Sequence, residues 1–171
     1  LAASADPAAT VIDGEGVNRC IAIRHPQSVT NLFLVSGFTI ANGYALNTGG
    51  GLALSSGNYG LRVVISNCVF SGNTVAWGAA NAYFATAGSR GGAVGNYETQ
   101  PPYRLTLAGC QFRDNRALSG APGAGNPGQG GAVYLRGGYE PLDLRGCVFE
   151  NNQATSGGGA GVRVRGAAGA R

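Results

Sequence analysis

The groups in this 171-residue chain that could do chemistry are four cysteines, eight acids, a single histidine and twelve basic residues, all of them arginine. Cys68, Cys110 and Cys147 recur as Cys-x-Phe, so they could supply a metal site or redox pair, or else form a column of small buried thiols. Zinc takes four converging ligands, commonly as close cysteine pairs, and one sulfur per repeat gives no tetrahedron. A disulfide between neighbours is within reach by spacing, but equivalent side chains of parallel strands point the same way, which is poor geometry for it. The buried column is therefore the expectation, with Cys20 in a different slot and free.

The acids are Asp6, Asp13, Glu15, Glu98, Asp114, Glu140, Asp143 and Glu150. A glycosidase needs two carboxylates across the scissile bond, and a calcium-assisted lyase needs several oxygen ligands around the ion as well as a base. No two of these acids fall at equivalent outward positions of adjacent repeats, and Asp13 with Glu15, the nearest pair, lies in the turn sequence Asp-Gly-Glu-Gly. His25 would need an acid and a nucleophile to converge on it, and Arg24-His25-Pro26 reads instead as a solvated turn at a strand end. Without lysine, neither a lysine Schiff base nor a phosphate-loop lysine is possible. Neither catalysis nor any metal or other cofactor is expected.

The elements that must position these groups follow from an internal repeat. Residues 63–73, 105–115 and 142–152 superpose without gaps, aligning the three Cys-x-Phe units with Asn73, Asn115 and Asn152 three residues beyond each Phe. A degenerate copy over residues 33–42 has Phe38 and Ile40 in the Cys and Phe slots and its asparagine, Asn42, displaced by one. A second motif alternates with the first: Gly49-Gly50-Gly51-Leu52, Gly91-Gly92-Ala93-Val94, Gly130-Gly131-Ala132-Val133 and Gly159-Ala160-Gly161-Val162, with Ile21-Ala22-Ile23 filling the slot at the start. The step from Leu52 to Phe70 equals that from Val94 to Phe112, and that from Val133 to Phe149 is two residues shorter, whereas the return steps differ more widely, so insertions enter at one corner, as residues 74–90 and 116–129.

Period-2 alternation points Val63 and Ile65, Leu105 and Leu107, and Leu142 and Leu144 inward, with Cys and Phe following on the inside. Strands at this spacing cannot form hairpins, and each pairs instead in parallel with its equivalent one repeat later, about 4.8 Å away. The expected fold is all-β: a right-handed parallel β-helix of about four coils, with three short strands per coil. Residues 1–9 are expected to be a tail outside the fold, and 10–171 a single β-helix segment, incomplete at its C-terminal end. Its last coil, begun by residues 159–166, would then be covered by further chain or a protein partner. Each ladder asparagine is expected to close a turn, where a short polar side chain tolerates positive φ and bonds to the next amide above. With 31 glycines and 44% hydrophobic residues the chain is too glycine-rich for a helical bundle and too apolar for disorder. It has no apolar run near the ~18 residues of a membrane-spanning helix.

The alternation of Gly-Gly-Ala-Val, at 91–94 and 130–133, with Phe-x-x-Asn, at 70–73, 112–115 and 149–152, resembles the repeat of the chlamydial polymorphic outer-membrane proteins. More broadly it resembles secreted bacterial β-helix proteins of the pectate-lyase-like type, and Thr10-Val-Ile-Asp-Gly-Glu-Gly16 is similar to the first coil of many such proteins. The resemblance covers residues 10–166. It implies an autotransporter passenger, an adhesin or an anchored surface protein, hence a secreted chain that is extracellular or on the cell surface. The pectate-lyase likeness also implies acidic metal ligands, which this sequence does not supply.

Two surfaces are candidates for contact. If Ile23, Leu54, Leu135 and Val164 are equivalent, the next outward slot holds Arg24, Ser55, Arg136 and Arg165, with Arg163 two places before the last. Such a stripe repels itself; it fits an acidic polysaccharide or lipopolysaccharide, or is a solvated face screened by counterions. The first insertion carries Trp77, Tyr83 and Phe84, which either fold back over the flank or anchor a protein or sugar partner. A nucleic-acid partner is not expected, as no basic helix is present. The expected function is a non-catalytic extracellular structural or adhesive module of a bacterial surface or extracellular assembly. The alternative is a carbohydrate-binding or carbohydrate-cleaving module acting on an acidic polysaccharide.

Overall fold

The computed structural model describes residues 2, 6–25, 32–56, 61–76, 89–96, 103–118, 128–136, 142–155 and 159–165. Glycine and asparagine turns cut this sequence into short strands. After β1 (Val11–Asp13) they recur in groups: β2 (Ile21–His25), β3 (Leu32–Ser36), β4 (Thr39–Ala41) and β5 (Tyr44–Ala45), then β6 (Leu52–Ser56), β7 (Leu61–Ser66), β8 (Val69–Ser71) and β9 (Thr74–Ala76). The third group is β10 (Val94–Asn96), β11 (Tyr103–Ala108), β12 (Gln111–Arg113) and β13 (Arg116–Leu118), and the fourth is β14 (Val133–Arg136), β15 (Leu142–Arg145), β16 (Val148–Glu150) and β17 (Gln153–Ala154), followed by β18 (Val162–Arg165).

Each strand pairs in parallel with its counterpart in the next group, so the sheets run β1-β4-β8-β12-β16, β2-β6-β10-β14-β18, β3-β7-β11-β15 and β5-β9-β13-β17. Stacked parallel sheets of this kind are compatible with a β-helix. Each group holds four strands where three were expected. The additional ones, β5, β9, β13 and β17, are two or three residues long and place one small or β-branched residue inward (Ala45, Val75, Ala117, Ala154), too brief an alternation to register in sequence. The insertions accordingly start after Ala76 and Leu118, which are in register with each other, and return at Arg90 and Gln129, which also pair.

The core is the set of inward columns. Leu105 pairs with Val63 and Leu142, and Leu107 with Ile65 and Leu144, as the alternation required. Phe70, Phe112 and Phe149 lie in register, with ring centroids 5.1 and 4.8 Å apart and planes within 9° and 6°. Such pairs contribute about 0.5–1.5 kcal/mol beyond the area they bury.

The glycine pairs follow from the same stacking. Gly91 has φ 64° and a Cβ there would sit 2.0 Å from the Val94 carbonyl oxygen, while a Cβ on Gly92 would sit 2.3 Å from that of Gly131 in the next layer. Ala160 takes this second position in the last copy, beyond which no further layer lies among the described residues. At the other end, part of the segment expected outside the fold is packed on it. Asp6 caps the 3-10 turn Pro7–Ala9, whose Pro7 carbonyl accepts a 2.9 Å hydrogen bond from Thr39 Oγ1. Among the described residues no helix is long and apolar enough to cross a membrane.

Candidate functional site

The repeated polar residues are turned inward and bonded to one another. Asn73 donates from both its backbone N–H and Nδ2 to Asn115 Oδ1 (3.1 and 3.0 Å), and Asn115 does the same to Asn152 Oδ1 (3.1 and 2.9 Å). Each Nδ2 also donates to a carbonyl one layer back, on Ile40, Phe70 or Phe112. In the degenerate copy Gly43 fills the slot and donates its N–H to Asn73 Oδ1. Positive φ falls one position earlier than expected, on Asn42, Gly72, Asp114 and Asn151, because the turn must bend before the ladder side chain can point inward.

The thiols obey a similar rule. Cys68, Cys110 and Cys147 each have two carbonyl acceptors in reach, one a layer back (Val35, Ile65, Leu107) and one two residues before in the same layer (Ser66, Ala108, Arg145). All four cysteines are free, and among the described residues no group of His, Cys, Asp and Glu converges to hold a metal ion. Burial pushes the Cys110 thiol up to about 12, and burial with the nearby Asp13 charge pushes Cys20 up to about 11. A raised folded-state value favours the protonated thiol, so the associated stability is complete below the ordinary value of 9.0 and is lost as pH rises toward 12. Above about pH 9 we expect a progressive fall in melting temperature that Cys110→Ala reduces. Native Cys110 should likewise resist iodoacetamide at pH 8 and react fully in denaturant, because the thiolate is the nucleophile.

The arginine slot is placed as the alignment required, with Arg24 beside Ser55 and Arg136 beside Arg165, but β6 and β10 separate Arg24 from Arg136, so the stripe is interrupted. Arg24 is exposed, while Arg136 and Arg163 are half-buried. His25 is the last residue of β2, in register with Ser56, rather than a turn residue. The side chains of Arg165 and His25 lie outside the described residues, as do Trp77, Tyr83 and Phe84 altogether.

Three arrangements escaped the sequence. Asn96 is fully buried at the end of β10, and its amide pairs with the Arg136 backbone, accepting from N–H at 2.8 Å and donating to the carbonyl at 2.6 Å. It thereby continues a ladder whose backbone register ends at Gly95 and Tyr134, and a lone asparagine at a strand end carries no sequence signal for this. Arg90 is only 6% exposed, with its guanidinium carbon 5.4 Å from the centroid of the buried Tyr134 ring. Among the described residues the Tyr134 hydroxyl has no hydrogen-bond partner. Tyr134→Phe should therefore leave the melting temperature unchanged or raise it, since it removes a buried unsatisfied group and keeps the ring under Arg90; a clear drop would mean the hydroxyl is bonded.

The third is a groove of about 270 Å³ on the outer face of β7, β11 and β15, lined by Arg62, Val64, Arg104, Thr106, Asp143 and Arg145. Arg62 and Arg104 are in register, and Thr106 lies between Val64 and Asp143. Arg145 clasps Asp143 through Nε and Nη2 at 3.0 and 2.6 Å, and this hydrogen-bonded guanidinium holds the carboxyl below its usual range. Extending the aligned segments by one residue toward the N-terminus would have revealed the Arg62–Arg104 column, because each directly precedes the first residue of its aligned segment.

No protein-family model matches this chain, and no curated protein and no solved structure matches it either.

Proposed function

We propose that this chain is a non-catalytic structural or adhesive module, built as a right-handed parallel β-helix of about four coils and displayed on a bacterial surface or in an extracellular assembly. One observation carries the reading: the repeated asparagines are engaged in bonds between layers, and the repeated thiols face backbone carbonyls of the stack. Groups committed in this way stiffen a stack. The extracellular placement is supported by the resemblance of the Gly-Gly-Ala-Val and Phe-x-x-Asn tetrapeptides to bacterial surface repeats.

The apolar exposure at the β15 and β18 layer supports a covering partner. Leu144 is 40% exposed where its counterpart Leu107 is fully buried, and Val164 is 55% exposed. Exposed apolar strand edges invite pairing. Incubation with acidic polysaccharides, followed by reducing-end and unsaturated-product assays, should detect no turnover. Turnover abolished by replacing one acid would overturn the non-catalytic assignment. Protease treatment of intact source cells should remove the protein, and its survival there would overturn the surface placement.

A further inference from the structure

Cys68, Cys110 and Cys147 stand one above another in three successive layers. The residues on either side of them pair between layers, Ser66 with Ala108 and Arg145 before, and Val69 with Gln111 and Val148 after. The Cys68 and Cys110 carbonyls accept 2.9 Å hydrogen bonds from the Gln111 and Val148 N–H groups, so the cysteines themselves share this register. Neighbouring sulfurs are therefore about one layer apart, roughly 4.8 Å. All three thiols are free. Burial first, and then charge on the neighbouring Cys68 and Cys147, pushes the Cys110 thiol up. Side chains that point the same way at this spacing are badly placed for a disulfide of about 2 Å, but they suit an ion set between two sulfurs.

We propose that Cys110 and Cys147 bind one soft divalent cation of linear, two-coordinate preference, of which the mercuric ion is the type. With a metal–thiolate bond of about 2.3 Å, the value for zinc, a linear sulfur–metal–sulfur unit is about 4.6 Å long, which matches the layer spacing. Both side chains cross the stack while the ion lies along it, so each Cβ–Sγ–metal angle is close to a right angle, the arrangement divalent sulfur favours. The valence follows from burial. Each thiol gives up its proton and forms one sulfur–metal bond, so a doubly charged ion yields two protons and a neutral bis-thiolate, whereas copper(I) or silver(I) would leave a net negative charge in the core. Among the described residues no three His, Cys, Asp or Glu groups converge, so an ion that demands three or four ligands, such as zinc, finds no site. Cys147 is half-buried and opens the pair to an ion, whereas Cys68 and Cys110 are both enclosed. This goes beyond the structural role proposed above and does not depend on it, because the column is a property of the stack wherever the chain resides.

Titration of the folded chain with mercuric chloride, in an excess of the monothiol glutathione to strip singly held mercury, tests the proposal. The unaltered chain should retain one ion, show two sulfur neighbours of the metal by X-ray absorption, and melt at a higher temperature with the ion than without it, since only the folded stack holds the two sulfurs in place. Cys147→Ala and the more conservative Cys147→Ser should hold the ion at least tenfold more weakly while keeping the circular dichroism of the unaltered chain, because the position is half-buried. Cys68→Ala and Cys20→Ala should hold it as the unaltered chain does. Failure to retain an ion, a third ligand atom in the absorption spectrum, a melting temperature lowered by the ion, undiminished retention by both Cys147 variants, or retention lost with Cys68→Ala would each overturn it.

Discussion

Asn115→Ala should lower the unfolding free energy by about 2–6 kcal/mol, because it strands two buried backbone groups at about 1–3 kcal/mol each. The Asn73 N–H loses its acceptor and the Phe70 carbonyl loses its donor, both inside the stack. Against the 5–15 kcal/mol typical of a domain this is a large fraction, readable as a shift in urea midpoint. Asn115→Asp sharpens the test. A carboxylate there can accept from Asn73 but cannot donate to Phe70, and burial disfavours its charge. Its folded-state pKa is then raised, so stability should be greatest at low pH and fall as pH rises through that value. An Asn115→Ala protein with an unchanged midpoint would show that the ladder is decorative.

Phe112→Ala should cost roughly 3–5 kcal/mol, the usual range for truncating a fully buried aromatic residue. Phe112 stacks on Phe70 on one side and on Phe149 on the other, whereas Phe149 is only partly buried and has one ring neighbour among the described residues. Phe149→Ala should consequently cost distinctly less. Parallel urea titrations of the two variants measure that difference, and equal losses would mean that Phe149 is covered in solution as completely as Phe112. That outcome would itself reveal a cap on the last layer.

How much could be read beforehand depends on whether a residue belongs to the repeat. Phe70, Phe112 and Phe149 were legible as a column because equal spacing in the chain becomes vertical alignment when every strand pairs with its counterpart one group later. The same logic reached Cys68, Cys110 and Cys147 and the asparagine ladder, although it misplaced positive φ by one residue: sequence marks a turn through its polar residues without saying which of them bends. The salt link between Asp143 and Arg145 depends on side-chain paths that no spacing rule supplies.

The sequence by itself thus determined the parallel stacking, the inward columns and the glycine pairs, since each is imposed by close packing that every layer repeats. Only the tertiary structure decided the fourth strand of each group, the burial of Arg90 beside Tyr134, the Asn96 bridge to Arg136, and the groove that joins Arg62 and Arg104 to Arg145. These features bring together residues that are not equivalents, and their meeting depends on the reach of individual side chains across layers. Periodicity carries no information about such reach, because it constrains only positions that recur.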